Sequence, residues 1–360
     1  MKLFNVGATR PATDAPRLSA ANDLVQRTLA QHGLTPSSGQ GTQTDFPNLS
    51  SLNELLTRVP GPRIQTGKPE LKIPEGAIFK DDTFTGSSGS RRFRTYIPAT
   101  ASGGVSGVVM MLHGCTQTPE DFAAGTGMNA LAERHGFVVV YPAQSRGENA
   151  QSCWNWFSRG DQRRGRGEPA ILAELAQQVC AEHDVRRDDT FVAGLSAGAA
   201  MAVILGEAYP DVFAAVGAHS GLPLGSAKDV PSAFAAMAGS ALEGPVPDPG
   251  DERVRTILFH GTADSTVHPS NGDAIARRAR LMHVPQSIET TSSGKAAGRT
   301  YCREISSDAR GTVVVEHWSI EGQGHAWSGG HPGGSYTDPN GPNASAKMIH
   351  FFFQTQIKDI

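Results

Sequence analysis

The chain has 360 residues, 38% of them hydrophobic, and a formal net charge of −3. That is enough apolar material for one large core or two smaller ones, and the near-neutral balance gives no electrostatic case for nucleic acid or an anionic membrane as partner. No apolar run approaches the roughly 20 residues of a membrane-spanning helix.

The first ten residues lack the apolar core of roughly 7–15 residues that a secretory signal carries. The expectation is therefore a protein that stays in the cytoplasm, or one read here without its signal. Residues 1–75 are expected to be an appended segment. Leu18, Ala21, Leu24, Val25 and Leu29 predict one amphipathic helix and Leu52, Leu55, Leu56 and Val59 a shorter one, both set among Pro, Gly, Ser and Thr. A linker over residues 60–74 then leads into a single domain, residues 76–360.

Residues 92–97 alternate with period two, as a half-exposed outer strand does, whereas 108–112 and 137–141 are continuously apolar and belong inside a parallel sheet. Between them, residues 119–135 have helical spacing and end at Gly136. The cluster Arg159, Arg163, Arg164 and Arg166 reads as a solvated loop. A helix over 169–183 leads into strand 190–193. A helix to residue 207, strands 214–218 and 256–259, and a helix over 272–282 follow. Strands near 301–305 and 313–320 and a closing helix over 344–354 complete the pattern. Such alternation predicts an α/β class chain, a mostly parallel central sheet with helices on both faces.

Gly194-Leu195-Ser196-Ala197-Gly198 sits between strand 190–193 and the helix after it. In a chain with 41 Gly the pattern G-x-S-x-G is weak alone, but strand-turn-helix context makes it a nucleophile elbow. An acid in the loop after a later strand and a histidine in a loop near the end should follow in that order. Asp264 leaves strand 256–259, and His325 follows strand 313–320 between Gly324 and Ala326. Asp251 precedes its strand and Asp273 falls in a helix, so Asp264 is the expected acid. His260 and His268 read as structural or rim residues.

A tetrahedral oxyanion needs two preorganised donors. The N–H of Ala197, next to the nucleophile, is one, and the N–H of Cys115, in the loop after strand 108–112, is the other. The four cysteines have no C-x-x-C spacing, which argues against a structural zinc site or a thioredoxin-like pair; no metal and no organic cofactor are expected. In the strand order of an α/β-hydrolase the strands before Cys115 and Cys153 are neighbours, so a disulfide between them is feasible; two reduced buried thiols are the other reading. Trp154 and Trp156 flank the oxyanion loop. One is expected to pack inward and the other to line the cleft, and alternation does not decide which.

Five stretches carry a resemblance: Leu112-His113-Gly114-Cys115-Thr116-Gln117, Cys153-Trp154-Asn155-Trp156-Phe157, Gly194-Leu195-Ser196-Ala197-Gly198-Ala199-Ala200-Met201, Ala218-His219-Ser220-Gly221-Leu222-Pro223, and Gly324-His325-Ala326-Trp327-Ser328-Gly329-Gly330. Over residues 77–353 the chain resembles the polyhydroxybutyrate depolymerase family, which includes feruloyl and acetylxylan esterases. The resemblance implies an α/β-hydrolase fold, Ser196, Asp264 and His325 as triad, and Cys115 and Ala197 as oxyanion donors. It also implies a secreted enzyme acting on hydroxyalkanoate polymer or oligomer, with feruloyl or acetyl sugars as the alternative substrates. Trp154, Trp156 and Trp327 are the expected substrate wall. A non-catalytic scaffold that binds a ligand is the remote alternative. Oligomeric state has no signature here.

Overall fold

In a computed structural model, residues 71–242, 244, 253–283 and 288–353 are described. The two helices expected within residues 1–75 lie outside them.

Ten strands form one sheet. In chain order the first seven are β1 (Ile78–Gly86), β2 (Gly89–Ile97), β3 (Val108–Leu112), β4 (Val138–Pro142), β5 (Thr190–Leu195), β6 (Ala215–His219) and β7 (Arg255–Gly261). They are followed by β8 (Ile288–Ala296), β9 (Arg299–Ser307) and β10 (Val313–Ile320). The spatial order is β1-β2-β4-β3-β5-β6-β7-β10-β9-β8, and the stretch from β4 to β10 is parallel. Antiparallel pairs close both ends, β1 with β2 and β8 with β9.

The helices are α1 (Pro119–Thr126), α2 (Met128–His135), α3 (Gly167–Glu182), α4 (Ala197–Ala208), α5 (Val230–Met237), α6 (Ser270–His283) and α7 (Ala344–Phe352). Every residue of β3 is buried. Val108, Met110 and Leu112 pack with α3, α4 and α6 on one face, and Val109 and Met111 with α1, α2 and α7 on the other. This is why the strand reads as a continuous apolar run rather than an alternation.

Three departures from the expected elements have local causes. The helix expected over 119–135 is two helices, because Gly127 adopts φ +64°, and its N–H closes α1 onto the Ala123 carbonyl. β1 carries a single buried side chain, Phe84, so its sequence has no apolar period. β8 is polar along its length and exists by pairing in register with β9. No helix among the described residues is long and apolar enough to cross a membrane, and those residues hold no group of three or more His, Cys, Asp or Glu arranged to bind a metal.

Candidate active site

The candidate residues stand on loops at the carboxyl ends of parallel strands, where an open α/β sheet leaves its ligand crevice. Ser196 joins β5 to α4 with φ 58° and ψ −120°, left-handed backbone that a serine rarely adopts. Close packing holds it there. A Cβ on Gly194 would collide with the Gly198 backbone, and one on Gly198 with the Leu112 carbonyl. Both motif glycines are thus required by backbone contact. The Ser196 N–H donates to the His219 carbonyl at 2.9 Å.

Cys115 follows β3 in the facing loop and is bonded to Cys153, with Cα atoms 4.2 Å apart. The feasible bridge is therefore formed, and Cys180 and Cys302 are free thiols. The Gly114 N–H donates to Gln117 Oε1 at 2.9 Å, and the Thr116 N–H to the Gln151 carbonyl at 2.7 Å. The N–H groups of Cys115 and Ala197 lack a hydrogen-bond partner among the described residues. His113 braces this loop from below. Its Nδ1–H donates to the Gly114 carbonyl at 2.8 Å and its Nε2 accepts from the Gln144 N–H at 3.1 Å. Burial lowers its pKa to about 4, so it stays neutral, as that bonding requires.

His325 and Asp264 meet, Nδ1 to Oδ2 at 2.7 Å. The acid is fully enclosed. Asp264 Oδ1 accepts the N–H groups of Thr266 and Val267, each at 2.9 Å. Burial pushes the carboxyl up, but hydrogen bonds from His260 and His325 and the Val267 N–H outweigh it and hold the group well below the usual carboxylate range. The arrangement can orient an imidazole and stabilise its cation.

Two further histidines, one expected to be structural and one unassigned, frame this pair. His260 Nε2 lies 2.8 Å from the Val267 carbonyl, which it must address as a donor, and 3.5 Å from Asp264 Oδ2. His219 stacks between Phe259 and Trp327, and its Nε2 accepts the Ser328 N–H at 3.0 Å. Burial, with His260 and His325 nearby, lowers its pKa to about 3. His219 therefore joins the two sides of the site, through its carbonyl to Ser196 and through its ring to the loop of His325. Its only sequence signal was its place in the stretch 218–223. His268 is exposed, its Nδ1 against Ser270 Oγ.

The expected tryptophan wall needs correction. Trp154 and Trp327 are core residues, 0% and 1% exposed, and Trp156 is 6% exposed, so neither residue of the 154/156 pair opens as a wall. The Trp154 indole N–H donates to the His113 carbonyl at 3.0 Å and lies under Arg91; the Trp327 indole donates to Ser345 Oγ at 3.0 Å. The surrounding polar network explains the burial. Glu168 accepts from the Asn155 backbone and side chain and from Gln144, and Gln144 in turn takes Arg91 and bonds the Cys153 carbonyl. The loop thus braces His113 and the Cys115 turn.

The aromatic ring that does face the candidate base is Tyr336. It is 43% exposed and stands edge-on to His325 with ring centres 6.5 Å apart. Its loop position gives no periodic signal in sequence.

The family model described as esterase PHB depolymerase matches residues 92–305. A poly(3-hydroxyalkanoate) depolymerase C of Paucimonas lemoignei is 33% identical over 228 residues, 61% of this chain and 54% of that protein. A poly(3-hydroxybutyrate) depolymerase of Ralstonia pickettii is 27% identical over 287 residues, 73% of this chain and 57% of that one. A probable acetylxylan esterase A of Aspergillus flavus is 29% identical over 55% of this chain and 69% of its own length. The chain thus spans about half the length of the two depolymerases it matches. Among solved structures, an acetyl xylan esterase from Aspergillus awamori superposes with a TM-score of 0.61 at 19% identity, covering 76% of this chain and 98% of that one. That likeness is one of fold, the α/β-hydrolase fold. With its family model matching more than half of the residues, the chain belongs to the esterase PHB depolymerase family.

Proposed function

We propose that the chain hydrolyses carboxylic esters through an acyl-enzyme on Ser196, with short-chain hydroxyalkanoate oligomers or polymer as substrate. Ser196 Oγ attacks the ester carbonyl as His325 Nε2 takes its proton, and the carbonyl oxygen becomes an oxyanion held by the N–H groups of Ala197 and Cys115. Collapse of that intermediate breaks the alkoxy bond, and His325 returns the proton to the leaving alcohol. A water, deprotonated by His325, then attacks the acyl-enzyme, and Ser196 leaves with the proton restored. Asp264 holds the imidazole with Nδ1 protonated throughout.

The observation that carries this reading is the 2.7 Å contact of His325 with Asp264 on the loops that follow the strained Ser196 turn in the expected chain order. The substrate class is supported by the relatives named poly(3-hydroxyalkanoate) and poly(3-hydroxybutyrate) depolymerase. The relative named acetylxylan esterase favours a second reading, acetylated xylan. An alkyl fluorophosphonate should label the wild-type chain at Ser196, and Ser196→Ala should abolish p-nitrophenyl butyrate hydrolysis while melting close to wild type. An unlabelled wild type, or turnover retained by the variant, would make Ser196 the wrong nucleophile. Rates on 3-hydroxybutyrate oligomers against acetylated xylan separate the two substrate readings.

A further inference from the structure

Tyr336 occupies an unusual position. Its backbone has φ 51°, and so does not rest in the ordinary range for a side chain of its size. Its carbonyl accepts the N–H of Trp327, two positions after His325, at 2.7 Å, which anchors the strained residue to the loop of His325. Its ring meets His325 edge-on, and its phenol lies 3.2 Å from Thr116 Oγ1. Thr116 is itself left-handed, φ 65°, and adjoins Cys115. One exposed aromatic side chain therefore spans from the candidate base to the candidate oxyanion loop.

We infer that Tyr336 is a specificity-determining residue that contacts the alcohol portion of the ester. The inference rests on the hydrolytic reading of Ser196. An ester carbonyl carbon carries three substituents. The carbonyl oxygen points to the Cys115 and Ala197 N–H groups, the alkoxy oxygen must lie within reach of His325 to take its proton, and the acyl carbon leaves in the third direction. Esters prefer the Z conformation, in which the alcohol's carbon lies on the same side as the carbonyl oxygen. The alcohol therefore emerges between the oxyanion donors and the base, and that is the gap Tyr336 bridges. An aromatic face there offers apolar contact to a substituted alcohol such as a 3-hydroxyacyl unit, and its hydroxyl offers a hydrogen bond to the next ester carbonyl of that unit. Methanol, as leaving group, reaches little of it.

Two esters with the same acyl group test this, methyl butanoate and the butanoyl ester of methyl 3-hydroxybutanoate. With the second ester followed by release of methyl 3-hydroxybutanoate, which counts cleavage at the butanoyl ester and not at its methyl ester, both reactions form the same butanoyl-enzyme, so differences between them lie in acylation. Tyr336→Asn removes the ring with a residue that tolerates left-handed backbone, and Tyr336→Phe keeps the ring and removes the hydroxyl. The ratio of kcat/KM for the larger ester to that for the methyl ester should fall about tenfold in Tyr336→Asn, the scale of one lost apolar contact. Tyr336→Phe should recover most of that ratio. A ratio unmoved in Tyr336→Asn overturns the inference, whether both rates fall together, which would place Tyr336 behind His325 as a support, or neither falls. Fluorophosphonate labelling of Ser196 in the same preparations keeps the outcomes apart: loss of labelling in wild type overturns the hydrolytic reading, whereas normal labelling with an unmoved ratio overturns the role of Tyr336 alone.

Discussion

Around Ser196 and Cys115 the chain is held by backbone packed on backbone: Gly198 lies against the Leu112 and His113 carbonyls, Gly194 against Gly198, and a disulfide ties Cys115 to Cys153. Around Asp264 and His325 the shape depends instead on a buried carboxylate that accepts from the Thr266 and Val267 N–H groups and from His325, with His260 and a neutral His219 behind it. The difference has a physical reason. An oxyanion hole needs fixed dipoles, which a rigid backbone supplies without reorganisation. A base must gain and lose a proton, so it needs beside it a fixed carboxylate that orients the ring and stabilises its cation. On the proposed roles, the Ser196 side should therefore be sensitive to added volume and the Asp264–His325 side to changes in charge or proton.

The largest expected effect is on the acid–base side. Asp264→Asn keeps the volume and the acceptor for Thr266 and Val267, but presents an amide to His325 Nδ1 and favours the wrong tautomer. The expected fall in kcat is about 10⁴-fold, by analogy with the corresponding change in a serine protease triad. Measured on p-nitrophenyl butyrate with a melting curve taken in parallel, a fall of less than tenfold in a folded protein would remove Asp264 from its role.

Next is acid stability. His219 and His113 have folded pKa values of about 3 and about 4 against an ordinary value of 6.5. The unfolded chain binds these protons as pH drops below 6.5 and the folded chain does not, so stability is full above 6.5 and declines as pH falls toward 4. Each proton is worth about 1.4 kcal/mol per pH unit, so these two rings can lose at most about 5 kcal/mol between pH 6.5 and 4.5, and His317, also lowered to about 4 by burial, adds to the loss. Asp264, held low, extends the same trend below the ordinary carboxylate range, while Glu168 and Glu207, pushed up by burial, oppose it. Urea unfolding at pH 7, 6 and 4.5 should show stability declining with acid. A flat profile would mean that these rings are not held neutral.

Much of this was legible in the sequence because it is local. The Ser196 turn is written in five consecutive residues, and the buried strands β3 to β7 in short apolar runs. Strand order made the pairing of Cys115 with Cys153 feasible but left two reduced thiols as the other reading, and the fold decides for the bond. What escaped is what distant segments decide. Trp154 looked like a cleft residue until Arg91, Gln144 and Glu168, from three separate parts of the chain, were seen to close around its loop. His219 and His260 are single histidines in sequence, and only the register of β5, β6 and β7 places them behind the site. β8 has no apolar period because its stability comes from its partner, and Tyr336 lies in a loop with no periodicity at all.

The smallest effect is expected where the two sides touch. Gln117 accepts the Gly114 N–H on the oxyanion side and donates across to the Ser335 carbonyl at 3.1 Å and to Asp121 at 2.9 Å, while Asp121 holds the Ser335 N–H at 2.9 Å. Gln117→Ala leaves a buried N–H unpaired and cuts the strap, which should cost about 1–3 kcal/mol of stability and a modest part of kcat. Gln117→Glu is the sharper test. It retains an oxygen for the Gly114 N–H but has no donor for Ser335 and sets a carboxylate against Asp121. If the sides are coupled through this side chain, Gln117→Glu lowers kcat with the oxyanion loop still braced, and the loss eases at lower pH as a carboxyl takes a proton. A Gln117→Glu enzyme with wild-type kcat across that range would show that the strap transmits nothing, and that the two sides are held in place independently.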